Sequence, residues 1–525
     1  MMLNQAMTRW LNAPWVIIVA TLLLVKVMLA WALPMTGDEA YFVLWGRHLD
    51  YGYYDHPPMA GWMMWLQLLV SDHRVWLRMP GLLSELIIAW AFYQLMQPID
   101  AVKARWLALL LLLSPMSLLN VFTLTDTGCI LFAALSFVAA ARGLLTNRLL
   151  WAALAGVGLG LAFLSKYFSV LLGVGYLIFY FAVAPAYWRH GVVLVLAAIP
   201  FGLLNLHWNL MNCWSNLLFN LVNRNEGSTG VQWAALASYV VMMAYVLLPP
   251  VLRGLYQVRG QVHEVTVAPI MRLAATLVAT AFLGFLLVSL GKNIGLHWVL
   301  WFHPFCLLLL WRLPLTRWQQ ITRQISWYGV AHVLIVLLIV AMPLSVWSSK
   351  PKLQRDILAA YEGDQILVVA RAKAAELTAA NVDQLALATQ GYTASSVLAY
   401  LAREPVMVMG TGSKYARQDD FITDFRDLDS ESVLLFLKRP REVETAAPWF
   451  AEHQLFQVDY KGQTFDFLLG QGFDYAVYKD TVLTEIRDNY YRFPDWLPSC
   501  RCDFVSRYFG EADGVVPDTK GSLQK

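Results

Sequence analysis

Charge is what this sequence has least of. Only 14% of its 525 residues are charged, against 58% apolar, too few charges for a water-soluble protein of that length. The shortage is uneven: of 36 acidic residues, 10 precede Lys350 and 26 lie beyond it. A basic excess is missing too, and a net charge of +3 gives no field for a nucleic-acid partner. Cysteine is scarce. The five cysteines (Cys129, Cys213, Cys306, Cys500, Cys502) do not make a disulfide framework. Cys129 and Cys306 lie in apolar runs and read as small core residues. Cys500 and Cys502 stand too close for an easy bridge, although an oxidising compartment would permit one, and this pair alone is a poor metal site. No small-residue cleavage site follows the first apolar run, Trp15 to Leu33, which reads as an uncleaved span.

Long apolar runs are what the sequence does have. A spanning helix needs roughly 20 mainly apolar residues. About eleven segments qualify, near 14–33, 79–97, 106–122, 127–141, 149–165, 168–187, 191–211, 232–252, 271–290, 296–311 and 326–347. With the N-terminus inside, twelve Lys and Arg fall in inner segments, Arg9 among them, against six in outer loops; cytoplasmic loops collect such residues. That topology puts residues 34–78 and the polar tail on the outer side. The chain divides into a membrane domain, 1–349, and an outer domain, 350–525. Lys26, inside the first span, reads as snorkelling to a headgroup.

The first outer loop holds a cluster of ionisable groups: Asp38 and Glu39 in Thr36-Gly37-Asp38-Glu39-Ala40-Tyr41, then Asp55 and His56 in Tyr53-Tyr54-Asp55-His56-Pro57-Pro58. Such groups are costly to dehydrate at a membrane, so a cluster there points to function. The bland alternative is that Asp38 and Glu39 cap a helix, because acids suit a first helical turn. Tyr41, Leu44, Trp45 and Leu49 do recur at the spacing of an interfacial helix, and Pro58 to Val70 reads as a second surface helix.

The paired motifs resemble the first external loop of membrane glycosyltransferases that use polyprenyl-phosphate sugars, the protein O-mannosyltransferase and aminoarabinose-transferase group of the GT-C superfamily. The resemblance implies an α-helical polytopic membrane protein with a small C-terminal α/β soluble domain. Leu124-Thr125-Asp126-Thr127 is similar to the family's second acidic motif after the third span, with a helix cap as the alternative. Leu164-Ser165-Lys166-Tyr167 stands where the family has Leu-Thr-Lys, with an interfacial anchor as the alternative. Gly291-Lys292-Asn293 followed by His297, His303 and Pro304 resembles the family's late Lys, aromatic and Pro pattern. His297 and His303 are six apart, a poor spacing for zinc. The outer segment 212–231, with Asn212, Asn216, Asn220, Asn223, Arg224, Asn225 and Glu226, suits a sugar or headgroup without being diagnostic.

Glycosyl transfer needs a base for the acceptor hydroxyl, an exposed anomeric carbon and a stabilised leaving phosphate. By the resemblance, Asp38 is the general base. Asp126 is the second catalytic acid, orienting acceptor or a divalent metal, the one cofactor left open. Glu39, Tyr41, Asp55, His56, Arg78, Lys166, Lys292 and His297 are the substrate-binding candidates. One departure is informative. Aminoarabinose transferases carry an acidic residue, then Lys and Pro, where this chain has Asp55-His56-Pro57, and histidine is only partly charged near neutral pH. That favours a broader member of the group. The expected partners are a polyprenyl-phosphate-linked sugar donor, a glycolipid such as lipid A or a protein as acceptor, and membrane lipids, at the inner membrane of a bacterium with the site facing out. A lipid-linked sugar transporter is the alternative of another class, but no repeat is seen and the charges lie mostly in loops.

In the tail, Gln365 to Val369, Val406 to Met409 and Val433 to Leu437 read as strands, and Phe465 to Leu469 with Tyr475 to Tyr478 as a later strand pair. Lys373 to Thr389 and Ala394 to Ala402 read as helices. Gly391-Tyr392-Thr393-Ala394-Ser395 resembles the soluble tails of bacterial members. The residues from Glu511 read as a loose end.

Overall fold

A computed structural model describes residues 14–224, 230–259, 265–378, 381–492, 494 and 496–510. Arg9, Asn225, Glu226 and the end from Glu511 lie outside the described residues. The chain forms two compact units. One takes residues up to 33, 67–204 and 227–341; the other takes 34–66, 205–226 and the chain from 342.

The membrane unit is helical. Among the described residues seven helices are long and apolar enough to cross a bilayer, or eight if Ala101–Leu113 and Pro115–Val121, bent by 58°, form one span. The bend falls at Ser114-Pro115, because proline disfavours helical backbone in the residue before it. Leu149–Ser165 and Tyr167–Val183 are shorter apolar helices. The expected span at 296–311 is a chain of short turns, Leu296–Phe302, His303–Leu308 and Leu309–Arg312, buried in the core. This is a multi-pass membrane protein.

In lipid, close packing and internal hydrogen bonds hold helices together. Gly156, Gly158 and Gly160 line one helix where any Cβ would stand within 3 Å of Leu194, Ser136 and Phe201 respectively. Ser136 Oγ donates to the Ala155 carbonyl at 2.7 Å and shares a hydrogen bond with Tyr176 Oη at 2.9 Å. Cys129 and Cys306 are buried core residues, as their apolar surroundings imply. Lys26 does not snorkel. It is buried in an ion pair with Glu85 and donates to the Ser117 carbonyl at 2.8 Å, while Asn120 donates to the other Glu85 oxygen at 2.8 Å. An interior polar network replaces the headgroup.

The second unit begins with α1 (Gly37–Arg47) and α2 (Met59–Leu68). In the tail follow α3 (Pro351–Ala375), β1 (Ala386–Thr389), α4 (Tyr392–Ala402), β2 (Met407–Val408), β3 (Val433–Leu437), β4 (Phe450–Tyr460) and β5 (Gln463–Phe473). The sheet order is β2-β1-β3-β5-β4. β1 runs parallel to β2 and β3, and β5 runs antiparallel to β3 and β4. Lys461 and Gly462 turn the β4–β5 hairpin with φ of 47° and 75°, the backbone that a two-residue turn needs to match strand twist.

Three expectations for the tail are corrected. Gln365 to Val369 is helical: Leu358, Ile366, Leu367, Ala370 and Ala374 form the buried stripe of α3, and that periodicity overrides a short β-branched run. The expected helix 373–389 stops at Ala375, and its last four residues are β1, held by partners on both sides. Tyr475 to Tyr478 is a helical turn, and the partners of β5 are β3 and β4. The expected strand at Val433 to Leu437 is β3 itself.

One sheet face is covered by α3 and α4 through Leu358, Ile366, Leu398 and Ala399. The other packs against tail aromatics together with Tyr54, Cys213 and Phe219 from the earlier segments. A disulfide joins Cys213 to Cys502, 289 residues apart, so the partner of Cys502 is not Cys500, which is a free thiol. The backbones already meet there, since Cys213 N–H donates to the Arg501 carbonyl at 2.8 Å and Arg501 N–H to that of Leu210 at 3.0 Å.

Candidate active site

The Asp38 helix starts at a complete capping box. The Thr36 hydroxyl accepts from Glu39 N–H at 3.2 Å, and the Glu39 carboxylate accepts from Thr36 N–H at 3.2 Å and its hydroxyl at 3.1 Å. The donors at this helix end are thus served by Thr36 and Glu39. Asp38 has no part in the box. Its Oδ1 accepts from the Tyr392 hydroxyl at 3.3 Å. The two acids therefore divide: Glu39 is fully buried in the cap, and Asp38 points to the first residue of α4. Burial, with Asp38 adding to it, pushes the Tyr392 phenol up to about 12, so it remains a donor.

The tail also fixes the rest of the loop. Tyr41 Oη accepts from Gln418 N–H at 2.9 Å, and Gln418 Oε1 accepts from Tyr54 N–H at 2.8 Å. One glutamine thus pins both motifs. Burial, then Asp55, holds the Tyr41 phenol far above its ordinary range. Beside Gln418, Arg417 pairs with Asp420 at 2.7 Å and lies over the Tyr490 ring. Tyr53 stacks on Trp45, with ring centroids 4.3 Å apart, and donates to the Trp45 carbonyl at 3.0 Å.

Segment 205–226 supplies an asparagine ladder. Asn216 donates to the Tyr53 carbonyl at 2.7 Å and Asn220 to that of Asp55 at 3.2 Å. Asp55 Oδ1 and His56 Nδ1 lie 3.5 Å apart. Both are buried, and neither has a hydrogen-bond partner among the described residues. Buried polar atoms are usually hydrogen-bonded to protein, water or a ligand. Asp55 also acts on Arg224, whose guanidinium burial lowers from its usual value while Tyr415 and Asp55 oppose the shift.

In the membrane unit, Asp126 begins the helix Thr125–Thr146 but does not cap it; the Thr127 hydroxyl accepts from Leu124 N–H at 3.1 Å instead. Both Asp126 oxygens accept from Lys166 Nζ at 2.7 Å, and His297 Nε2 is 4.0 Å away. This buried acid–base pair with a half-exposed histidine unites three predicted residues. Lys292 is half-buried on the preceding turn. Arg78 is fully buried; it donates to the Ala30 and Leu33 carbonyls at 2.7 and 3.0 Å and lies over the Phe122 ring. It closes the end of the first helix. Among the described residues no group of three His, Cys, Asp or Glu side chains is placed to hold a metal ion.

Tyr392, Gln418 and the Arg417–Asp420 pair had no assigned role in the sequence. Tyr392 lay within a recognised tail pattern, but its contact with a residue 354 positions earlier has no local signal.

Residues 55–208 match the family described as dolichyl-phosphate-mannose-protein mannosyltransferase. The lipid A galacturonosyltransferase RgtD of Rhizobium johnstonii is 31% identical over 182 residues, 33% of this chain. The match spans 38% of that relative's length. Two crystal structures of ArnT from Cupriavidus metallidurans, apo and bound to undecaprenyl phosphate, each give a TM-score of 0.59 at 15% identity. They cover 86% and 87% of this chain, and 97% and 98% of theirs. The chain therefore has the fold of the ArnT structures.

Proposed function

We propose that this chain is an integral-membrane glycosyltransferase. It moves a sugar from a polyprenyl-phosphate donor to a cell-envelope glycolipid of the lipid A type. The observation that carries the reading is Asp38: a carboxylate in a helix start whose cap is already complete, held by a tyrosine from a distant part of the chain. The matched lipid A galacturonosyltransferase and the undecaprenyl phosphate bound to one ArnT structure support the acceptor and donor classes.

Asp38 takes the proton of the acceptor hydroxyl as its oxygen bonds to the anomeric carbon. The bond from that carbon to the phosphate oxygen breaks, and polyprenyl phosphate leaves. A positioned base contributes typically about 10²–10⁴-fold. Direct displacement inverts the anomeric centre. His56, in the same unit as Asp38, is the candidate for the phosphate side, and the Asp55–His56 edge receives a polar substrate group. Residues 1–349 act as the membrane transferase domain and 350–525 as an outer domain. The site faces the periplasm from the bacterial inner membrane; the basic-residue distribution and the Cys213–Cys502 bridge, a bond of oxidising compartments, support that orientation.

The test is transfer of labelled sugar from a polyprenyl phosphate to lipid A by the purified protein in detergent. Transfer to protein hydroxyls alone returns the chain to the reading suggested by the family match. No transfer to either acceptor from any such donor sinks the proposal.

A further inference from the structure

The tail contains a cavity of about 500 Å³ that the reading above does not use. It lies where the order of the parallel strands reverses. The chain leaves β1, lays β2 on one side of it, then returns to lay β3 on the other. The carboxyl ends of β1 and β3 feed loops that diverge, and open α/β sheets bind ligands at such points. Thr389, Gln390 and Gly391 line the cavity from β1, and Phe436, Leu437 and Lys438 from β3.

Its lining has a chemistry. Phe436 and Phe465 offer aromatic surface, and Gln390, Ser413 and Thr393 offer amide and hydroxyl groups, a mixture suited to a sugar. Arg355 and Lys438 offer positive charge, beside the carboxylates Asp356 and Glu442 in the same lining. The Arg355 guanidinium is already oriented, donating to the Lys438 carbonyl at 2.7 Å with Asp466 at 3.8 Å. A planar, pre-set guanidinium suits a phosphate. The first turn of α4 completes the wall, and its cap residue is Gly391, which has no side chain to occupy it. Tyr392 links the cavity to the chemistry, since it lines the wall and its hydroxyl donates to Asp38.

We propose that this cavity binds a phosphorylated saccharide headgroup and presents it beside Asp38. The inference rests on the glycosyltransferase reading. Two substrates carry that chemistry, the sugar phosphate of the donor and a phosphorylated glycolipid acceptor.

Gly391 allows a test. Its backbone is extended and a Cβ there meets nothing within 4 Å, so the side chain of Gly391→Leu starts in open space. Binding of N-acetylglucosamine 1-phosphate and of neutral methyl N-acetylglucosaminide is measured on the full-length protein in detergent by saturation-transfer NMR. Gly391→Leu is expected to weaken both about tenfold or more with unchanged thermal stability. Lys438→Ala, at an exposed position, weakens only the phosphorylated probe, by about tenfold, the weight of one charge-assisted hydrogen bond. In transfer assays, a raised KM for glycolipid in Gly391→Leu identifies the acceptor as occupant, and a raised KM for polyprenyl-phosphate sugar identifies the donor. No saturable binding to the wild type, or binding and both KM values unchanged in Gly391→Leu, overturns the inference. Probe binding that Gly391→Leu removes, from a protein that transfers no sugar, upholds the cavity and overturns the enzyme reading instead.

Discussion

Replacing Asp38 by Asn separates chemistry from architecture. Asn keeps the size of the side chain, and the cap of α1 does not depend on it, because Thr36 and Glu39 hold the box. The charge lost from the first turn of a helix costs about 0.3–1 kcal/mol. The hydrogen bond from Tyr392 keeps an acceptor but a neutral one, a further loss of about 1 kcal/mol. Folding should therefore weaken by less than about 2 kcal/mol, far below what empties the native state of a typical domain. The rate should fall by about 10²–10⁴-fold, the contribution of a general base, equal to about 2.7–5.5 kcal/mol of barrier. The assay is single-turnover sugar transfer at saturating donor, with thermal stability recorded on the same preparation. Transfer within a few-fold of wild type would refute the base assignment. A large loss of stability would refute the claim that the cap stands without Asp38.

Tyr392→Phe removes the donor to Asp38 and should slow transfer about tenfold. An unchanged rate argues for a packing role alone. Non-reducing peptide mapping should recover Cys213 linked to Cys502, and Cys213→Ser should cost about 2–5 kcal/mol; recovery of a Cys500–Cys502 link overturns the pairing. Asp419 is buried in the tail, and burial pushes its carboxyl from 3.8 up to about 7. The folded protein holds that proton where the unfolded chain has released it, so this contribution to stability is full below about pH 4 and is lost as pH rises to about 7. The stability of wild type should decline across that window relative to Asp419→Asn, and a constant difference between the two would sink the assignment.

What was legible in the chain was what depends on near neighbours. The two loop motifs stand within 23 residues, Thr36 to Pro58, and β3 announced itself as Val433-Leu434-Leu435-Phe436-Leu437, a continuous apolar run suited to a buried strand. β1 did not: Ala386-Leu387-Ala388-Thr389 favours helix locally, and pairing on both edges decides otherwise. Whether Asp38 or Glu39 capped the helix was undecidable from residue types, since either acid suits a first turn; the bond to Tyr392 distinguishes them. The pinning of Tyr41 and Tyr54 by Gln418, and of Cys213 by Cys502, joins parts of the chain that share no sequence pattern, so neither was readable before folding brought them together.

The second unit's assembly from three separated segments sets a timetable for its biosynthesis. Tyr41 and the Gln418 backbone that anchors it are 377 positions apart. At about 5–20 residues per second, roughly 20–75 s pass between their emergence from the ribosome. During that interval the Asp38 helix has its own cap but neither Tyr392 nor Gln418. A nascent chain, or one halted before the tail, carries Asp38 without the tyrosine that donates to it. Newly made protein therefore gains its working geometry only when the late segment returns to the early one, and a truncated product would fail by lacking a partner for residues it still contains.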